Sequence, residues 1–312
     1  MKTKIIILLM LLGLTLQAQE NRYTEKDLSI NQYVDGTLLI PNTATKPSLA
    51  ILIAGSGPTN RNGNQNFLKN NSLKKLAEGL SKQGIATFRY DKRIVKQIRN
   101  GTIDKNIKFD DFVTDAKSVI DYFKASKDFK HLYLIGHSQG SLVGMLAAPE
   151  GADGLISLAG AGQPIDKVIV GQIGKMAPAL VEDSQRVFDT LRTGKTTPNF
   201  PPALSSVFNL ELQPFMMNWM QYNPQSVVHN LKIPVLIING TKDLQVSVEE
   251  AELLQKANPK AQLVLVEKMN HILVPIDGDD LENTKSYNEP QRALSKELVP
   301  VIADFIKQND TN

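Results

Sequence analysis

The stretch Leu132-Tyr133-Leu134-Ile135-Gly136-His137-Ser138-Gln139-Gly140 constrains this chain more than any other. An apolar strand candidate runs directly into Gly-x-Ser-x-Gly, and the helix-compatible residues from Ser141 to Ala148 follow until Pro149 stops them. That order of strand, tight turn and helix is the setting in which a serine hydroxyl is held above a sheet as a nucleophile. Such a turn is strained, so the backbone beside the serine must be free of side chains, a need that Gly136 and Gly140 meet. The pattern on its own recurs by chance; the strand before it and the helix after it make it informative.

The rest of the chain alternates in the same manner. Strand candidates lie at 49–54, 85–90, 132–135, 155–158, 235–239 and 263–266. Most are unbroken apolar runs, as parallel strands covered on both faces require. Between them, Phe109, Phe112, Ala116, Val119, Ile120 and Phe123 form one helical stripe, and Leu73, Leu76, Ala77 and Leu80 another before Gly84. Residues 248–257 and 292–306 supply later helices. Residues 27–41 read as a hairpin turning at Asp35-Gly36. The expected class is therefore α/β, a mostly parallel sheet flanked by helices. Residues 166–230 carry no strand signal, and a structureless loop of that length does not suit a compact domain, so they read as a helical cap. The core is then 19–165 and 231–312, with a frayed tail expected from Gln308 to Asn312.

Composition narrows the function classes. A 42% apolar chain of 312 residues can bury one large core. Residues 1–18, with Lys2 and Lys4 ahead of the apolar run 5–16, look like a secretory signal, so the protein is expected to be exported, periplasmic or extracellular. No second apolar run is long enough to cross a bilayer, and with no cysteine there is neither a lipid anchor nor a disulfide, so no stable membrane anchor is expected. A net charge of +3 spread along the chain gives no basic block for nucleic acid. No cluster has metal-ligand spacing, and neither a metal nor a cofactor is expected.

A serine needs a base, and the base needs an orienting acid. Of four histidines, His271 follows the last strand, where open α/β sheets place their ligands; His137 lies inside the serine motif, with its side chain expected to turn away from the hydroxyl. Asp243 turns off the end of the 235–239 strand, giving the chain order Ser138, Asp243, His271; Asp277, Asp279 and Asp280 are nearer His271, but their acidic, Gly-containing run reads as a solvated loop. Two backbone N–H groups should receive a developing oxyanion. One belongs to Gln139; the other comes from the loop Ala54-Gly55-Ser56-Gly57-Pro58, with Ser56 preferred and Gly55 and Gly57 as neighbours in register. Arg61 can bind a substrate anion or brace its own loop. Met217 and Trp219, in a Met-rich run from Met216 to Met220, can line an acyl pocket or pack the cap. The charged run Tyr90-Asp91-Lys92-Arg93 reads as a structural cluster.

Taken together, these motifs resemble the α/β-hydrolase superfamily over nearly all of the mature chain. The loop Gly55-Ser56-Gly57-Pro58-Thr59-Asn60-Arg61-Asn62-Gly63-Asn64 is similar to a signature of secreted bacterial hydrolases grouped with serine aminopeptidases and lysophospholipase-like esterases. Ala54 stands where many lipases have histidine, and Asn60 and Asn62 where acidic neighbours of Arg61 are expected. The resemblance implies a cap between the sixth and seventh strands and a carboxylesterase acting on a small acyl ester of short or medium chain. A serine peptidase or amidase, and a silent binding protein on the same fold, are the alternatives.

Overall fold

The apolar runs pair into one eight-stranded sheet in a computed structural model that describes residues 22–43 and 45–310. The export signal expected at 1–18 lies outside the described residues. The strands are β1 (Tyr23–Ser29), β2 (Asp35–Pro41), β3 (Leu49–Ile53), β4 (Ala86–Tyr90), β5 (Leu132–His137), β6 (Gly154–Leu158), β7 (Val235–Gly240) and β8 (Gln262–Val266). Their spatial order is β1-β2-β4-β3-β5-β6-β7-β8. β2 is antiparallel to β1 and β4, and every other pairing is parallel.

The helices are α1 (Ser72–Lys82), α2 (Arg93–Asn100), α3 (Phe109–Ser126), α4 (Gln139–Ala147), α5 (Ile165–Met176), α6 (Val181–Arg192), α7 (Ser205–Phe208), α8 (Gln213–Trp219), α9 (Pro224–Asn230), α10 (Val248–Ala257), α11 (Asp280–Ser286) and α12 (Leu298–Asn309). Alternate residues of the buried strands feed two cores. On one face Ile51, Phe88 and Leu134 meet α3, α4 and α10; on the other Leu52, Tyr133 and Ile238 meet α1 and α12. The segment between β6 and β7 carries helices and no strand, and α6, α7 and α8 with the turn before α7 share a separate small core of Val187, Phe188, Leu204, Phe208 and Met216.

Register positions the site. Ile53 pairs with Gly136, so the loop after β3 lies beside the turn after β5. Gly240 pairs with Val266, which places the loops after β7 and β8 side by side.

Four expectations are corrected. Asp35 and Gly36 open β2 instead of turning the hairpin; the turn is made by Asn31, whose Oδ1 accepts from the N–H groups of Tyr33 (2.8 Å) and Val34 (3.0 Å). Glycine is needed at 36 because a Cβ there would overlap the Phe88 ring. Residues 292–297 do not join α12: Ser295 N donates to Leu273 O (2.9 Å) and Arg292 is tied to Glu282, Glu289 and the Pro275 carbonyl, so this stretch straps the loop after β8. The acidic run at 277–280, read as a solvated loop, starts α11, with the Asp279 side chain capping Leu281 and Glu282 N–H (both 3.1 Å). Of the tail expected to fray, residues 308–310 are fastened through Asp310, whose carboxylate accepts from Ser48 Oγ (2.7 Å) and Tyr133 Oη (3.0 Å); residues 311 and 312 lie outside the described residues.

Candidate active site

Ser138 sits between β5 and α4 with φ 54° and ψ −121°, a left-handed conformation rare for a residue with a side chain. The glycines allow it. A Cβ on Gly136 would overlap the Gly140 carbonyl, and one on Gly140 would overlap the Ile53 carbonyl at the end of β3. The Ser138 N–H donates to Leu158 O (2.8 Å), pinning the turn to β6.

The expected acid and base, Asp243 and His271, lie on the paired loops after β7 and β8. Gly240 has no room for a Cβ, because the Met269 carbonyl lies against it. Lys242 N donates to that carbonyl (2.9 Å), and Thr241 N donates to Val266 O (3.1 Å). So joined, the loops place Asp243 Oδ2 2.7 Å from His271 Nδ1, with both residues buried. Asp243 Oδ1 accepts from the N–H groups of Gln245 (2.8 Å) and Val246 (2.9 Å), which orients the carboxylate. With Nδ1–H committed to Asp243, the tautomer leaves Nε2 as the proton acceptor. No hydrogen bond closes between Ser138 Oγ and this ring in the structure; such contacts commonly tighten only once substrate is bound.

Beside the serine, Gly55 approaches so closely that a Cβ on it would lie 3.2 Å from Ser138 Cβ. Neither Ser56 N–H nor Gln139 N–H donates to another described residue. Both amides expected to receive an oxyanion thus lack a partner among the described residues, and Gln139 is the first residue of α4, where the helix dipole adds positive potential.

A family model described as serine aminopeptidase, S33, matches residues 70–277, a span containing Ser138, Asp243 and His271. The chain belongs to that family of α/β-hydrolases. Esterase EstD of Thermotoga maritima is 26% identical over 269 residues, or 82% of this chain and 61% of its own length; the chain thus spans about 61% of this curated relative. Among solved structures, Est1E from Butyrivibrio proteoclasticus superposes with a TM-score of 0.59 at 19% identity, covering 92% of this chain and 99% of that one. The Pyrococcus furiosus esterase Pf2001 does so with a TM-score of 0.55 at 17% identity, covering 93% and 94%. Both share the α/β-hydrolase fold with this chain.

Within this hydrolase fold Arg61 braces its loop. Its N–H and Nη2 donate to the two oxygens of Asp91 (2.8 Å each), and Nη1 reaches Thr37 Oγ1 (2.9 Å) and Asp27 Oδ1 (3.1 Å). Placing Arg61 among substrate-binding residues is therefore corrected: its acids come from β1 and the end of β4, replacing the acidic loop neighbours that Asn60 and Asn62 do not provide. Burial alone would raise the Asp91 carboxyl, but its hydrogen bonds with Arg61 and Arg99 hold it below the usual carboxylate range. Trp219 stacks on Phe109 (5.4 Å between centroids, 5° between planes), docking α8 on α3, and Met217 packs against the cap core. Both are engaged in packing.

Four further residues, His137, Asn270, Asn283 and Lys92, shape the site in ways that carry no sequence signal of their own. His137 is buried, its ring 4.9 Å from that of His271, and burial with that neighbour pulls its pKa down to about 4. It is thus neutral, and its Nε2–H donates to the His271 carbonyl (2.8 Å). Asn270 donates to Asn283 Oδ1 (2.8 Å) and Ser286 Oγ (3.0 Å), while Asn283 donates to Lys242 O (2.8 Å), so α11 supports both loops. Lys92 leaves the charged run it was grouped with. Asp91 pairs with Arg61 and Arg99, and Arg93 with Asp111 and Asp115, but the Lys92 ammonium turns inward beneath Gly55 and Gln139.

Proposed function

We propose that this protein hydrolyses carboxylic esters through an acyl-enzyme on Ser138. The observation that carries the proposal is the buried 2.7 Å His271–Asp243 pair, set at the same end of the parallel sheet as the strained Ser138 turn. His271 Nε2 takes the Ser138 proton as Oγ attacks the ester carbonyl, and Asp243 stabilises the imidazolium that forms. The carbonyl oxygen becomes an oxyanion held by the N–H groups of Ser56 and Gln139, each such donor contributing about 3–4 kcal/mol to the barrier reduction. His271 then protonates the leaving alcohol. Water repeats the cycle on the acyl-enzyme and frees the acid.

An aminopeptidase needs acidic groups to grip a free amine, and the cap is where they would lie. Asp166 and Asp189 are paired with Arg192, Asp183 with Arg186 and Glu211 with Lys105, which leaves Glu182 alone of the five cap acids without an ion pair to a described residue. This favours an ester over an aminoacyl substrate, as does the name of the curated relative, an esterase. A small acyl ester of short or medium chain is the proposed substrate class. The composition of residues 1–18 supports the proposal that the enzyme works outside the cytoplasm.

Initial rates on p-nitrophenyl esters of graded acyl length, beside an aminoacyl p-nitroanilide, test this. Ester turnover is expected to be lost in Ser138→Ala. Preference for the anilide would overturn the ester assignment, and turnover that survives the substitution would overturn the nucleophile.

A further inference from the structure

Lys92 follows β4 and is almost completely buried, at 6% exposure, yet it has no carboxylate partner. Asp115 lines the same small cavity but is held by Arg93, at 2.7 and 2.8 Å. Lys92 Nζ instead donates to the Gly55 carbonyl (3.0 Å) and to Gln139 Oε1 (2.7 Å), and lies 4.1 Å from the centre of the Phe112 ring. A buried ammonium without a counter-ion is costly, and burial lowers its pKa to about 7. Such a cost marks a group retained for something other than packing.

Its two acceptors are the carbonyl of the peptide unit that carries the Ser56 N–H and the side chain of Gln139, so it reaches both of the proposed oxyanion donors. The Gly55 carbonyl and the Ser56 N–H are halves of one peptide unit. That unit is trans, so a donor pulling on the oxygen fixes the plane and directs the N–H to the opposite side. The pull also polarises the unit, making the N–H a better donor. Gln139 is held by its side chain, which sets the first turn of α4 and with it the second N–H. Phe112 supplies an aromatic face for the cation where no carboxylate does.

We infer that Lys92 is a positioning residue for the oxyanion site, one buried ammonium that anchors both donor-bearing residues and places a positive charge behind them. It rests on the acyl-transfer reading above and deepens it. Lys92 touches no substrate; it acts through Gly55-Ser56 and Gln139. As charge develops on the carbonyl oxygen, a cation behind polarised amides stabilises the transition state more than the bound ester. Its loss should therefore appear in kcat and leave KM nearly unchanged.

The test compares wild type, Lys92→Met and Gln139→Met in two assays: steady-state turnover of a p-nitrophenyl ester, and labelling of Ser138 by a fluorophosphonate, resolved into initial affinity and maximal rate. Lys92→Met is expected to lower kcat and the maximal labelling rate together by about 10- to 100-fold, with KM and initial affinity within about twofold. Gln139→Met keeps its backbone N–H but loses the acceptor for Lys92, so it should show a smaller loss that does not add to the first. Cooperative melting of each variant confirms that it is folded, and Gln139→Met carries the test if Lys92→Met does not fold. Unchanged kcat and labelling rate in the folded variants, or a raised KM at constant kcat, would overturn the role of Lys92 alone. Wild type that is not labelled at Ser138 would overturn the acyl-transfer reading and this inference with it.

Discussion

At the scale of single residues, the nucleophile is legible because its signal is local: two glycines, a serine and their flanking elements fall within one short run. His137 lies in the same run but its task is not legible there, because its partner is the carbonyl of a residue 134 positions later. Lys92 is hidden in the same way among charged neighbours, 47 residues from Gln139. The buried imidazole of His137 has a consequence for acid stability. Its pKa is about 4 in the folded chain against an ordinary 6.5. Above pH 6.5 both states are neutral there and nothing is lost; as pH falls toward 4 the unfolded chain binds a proton that the folded chain refuses. Stability should fall across that window by roughly 3 kcal/mol from this group. In His137→Gln, urea midpoints measured between pH 7 and pH 4 should decline less steeply than in wild type, and an equal slope would locate the acid sensitivity elsewhere.

Among the elements, strands are the most readable because a buried parallel strand announces itself as an unbroken apolar run. The 85–90 and 235–239 expectations meet β4 and β7 to within a residue at each end. Elements governed by tertiary demands are less readable. The 292–297 stretch has helix-compatible residues, but its backbone is spent on the loop after β8, and α11 begins only because Asp279 satisfies its first amides. The joined loops after β7 and β8 carry a prediction of their own. Gly240→Ala would push its methyl against the Met269 carbonyl and move the His271 loop away from Asp243. A displacement on the order of 1 Å is enough for a loss of about 100-fold in kcat. Rates on a p-nitrophenyl ester, with far-UV circular dichroism as the control for folding, check it; full activity would show that the loops adjust independently.

For the molecule as a whole, the two ends of the parallel sheet have separate tasks. The C-terminal ends of β3, β5, β7 and β8 bear the proposed catalytic groups, whereas Asp310 closes the opposite end by joining α12 to Ser48 and Tyr133. Asp310→Ala leaves the Ser48 hydroxyl without its acceptor and Tyr133 Oη with only the Ile306 carbonyl (3.3 Å), and should cost about 1–3 kcal/mol. A melting temperature lowered by several degrees with kcat/KM unchanged is the expected result, and a change in kcat/KM would mean that the two ends are coupled. The general architecture was readable from alternation alone, but this closure was not: a polar run from Gln308 looks like a tail until the fold brings Ser48 and Tyr133 to Asp310.

The stacking of Trp219 on Phe109 has a consequence for observing this molecule at work. The chain has one tryptophan, and it lies on a cap helix with its ring against the α/β core. Asn218 and Tyr222 hold Asp110 on the same core helix, so the indole sits where the two bodies are latched. A partial opening that lifts the cap and leaves the sheet intact would wet that ring while the backbone spectrum stayed constant. The native chain therefore carries its own optical gauge of cap opening, with no second indole to obscure it.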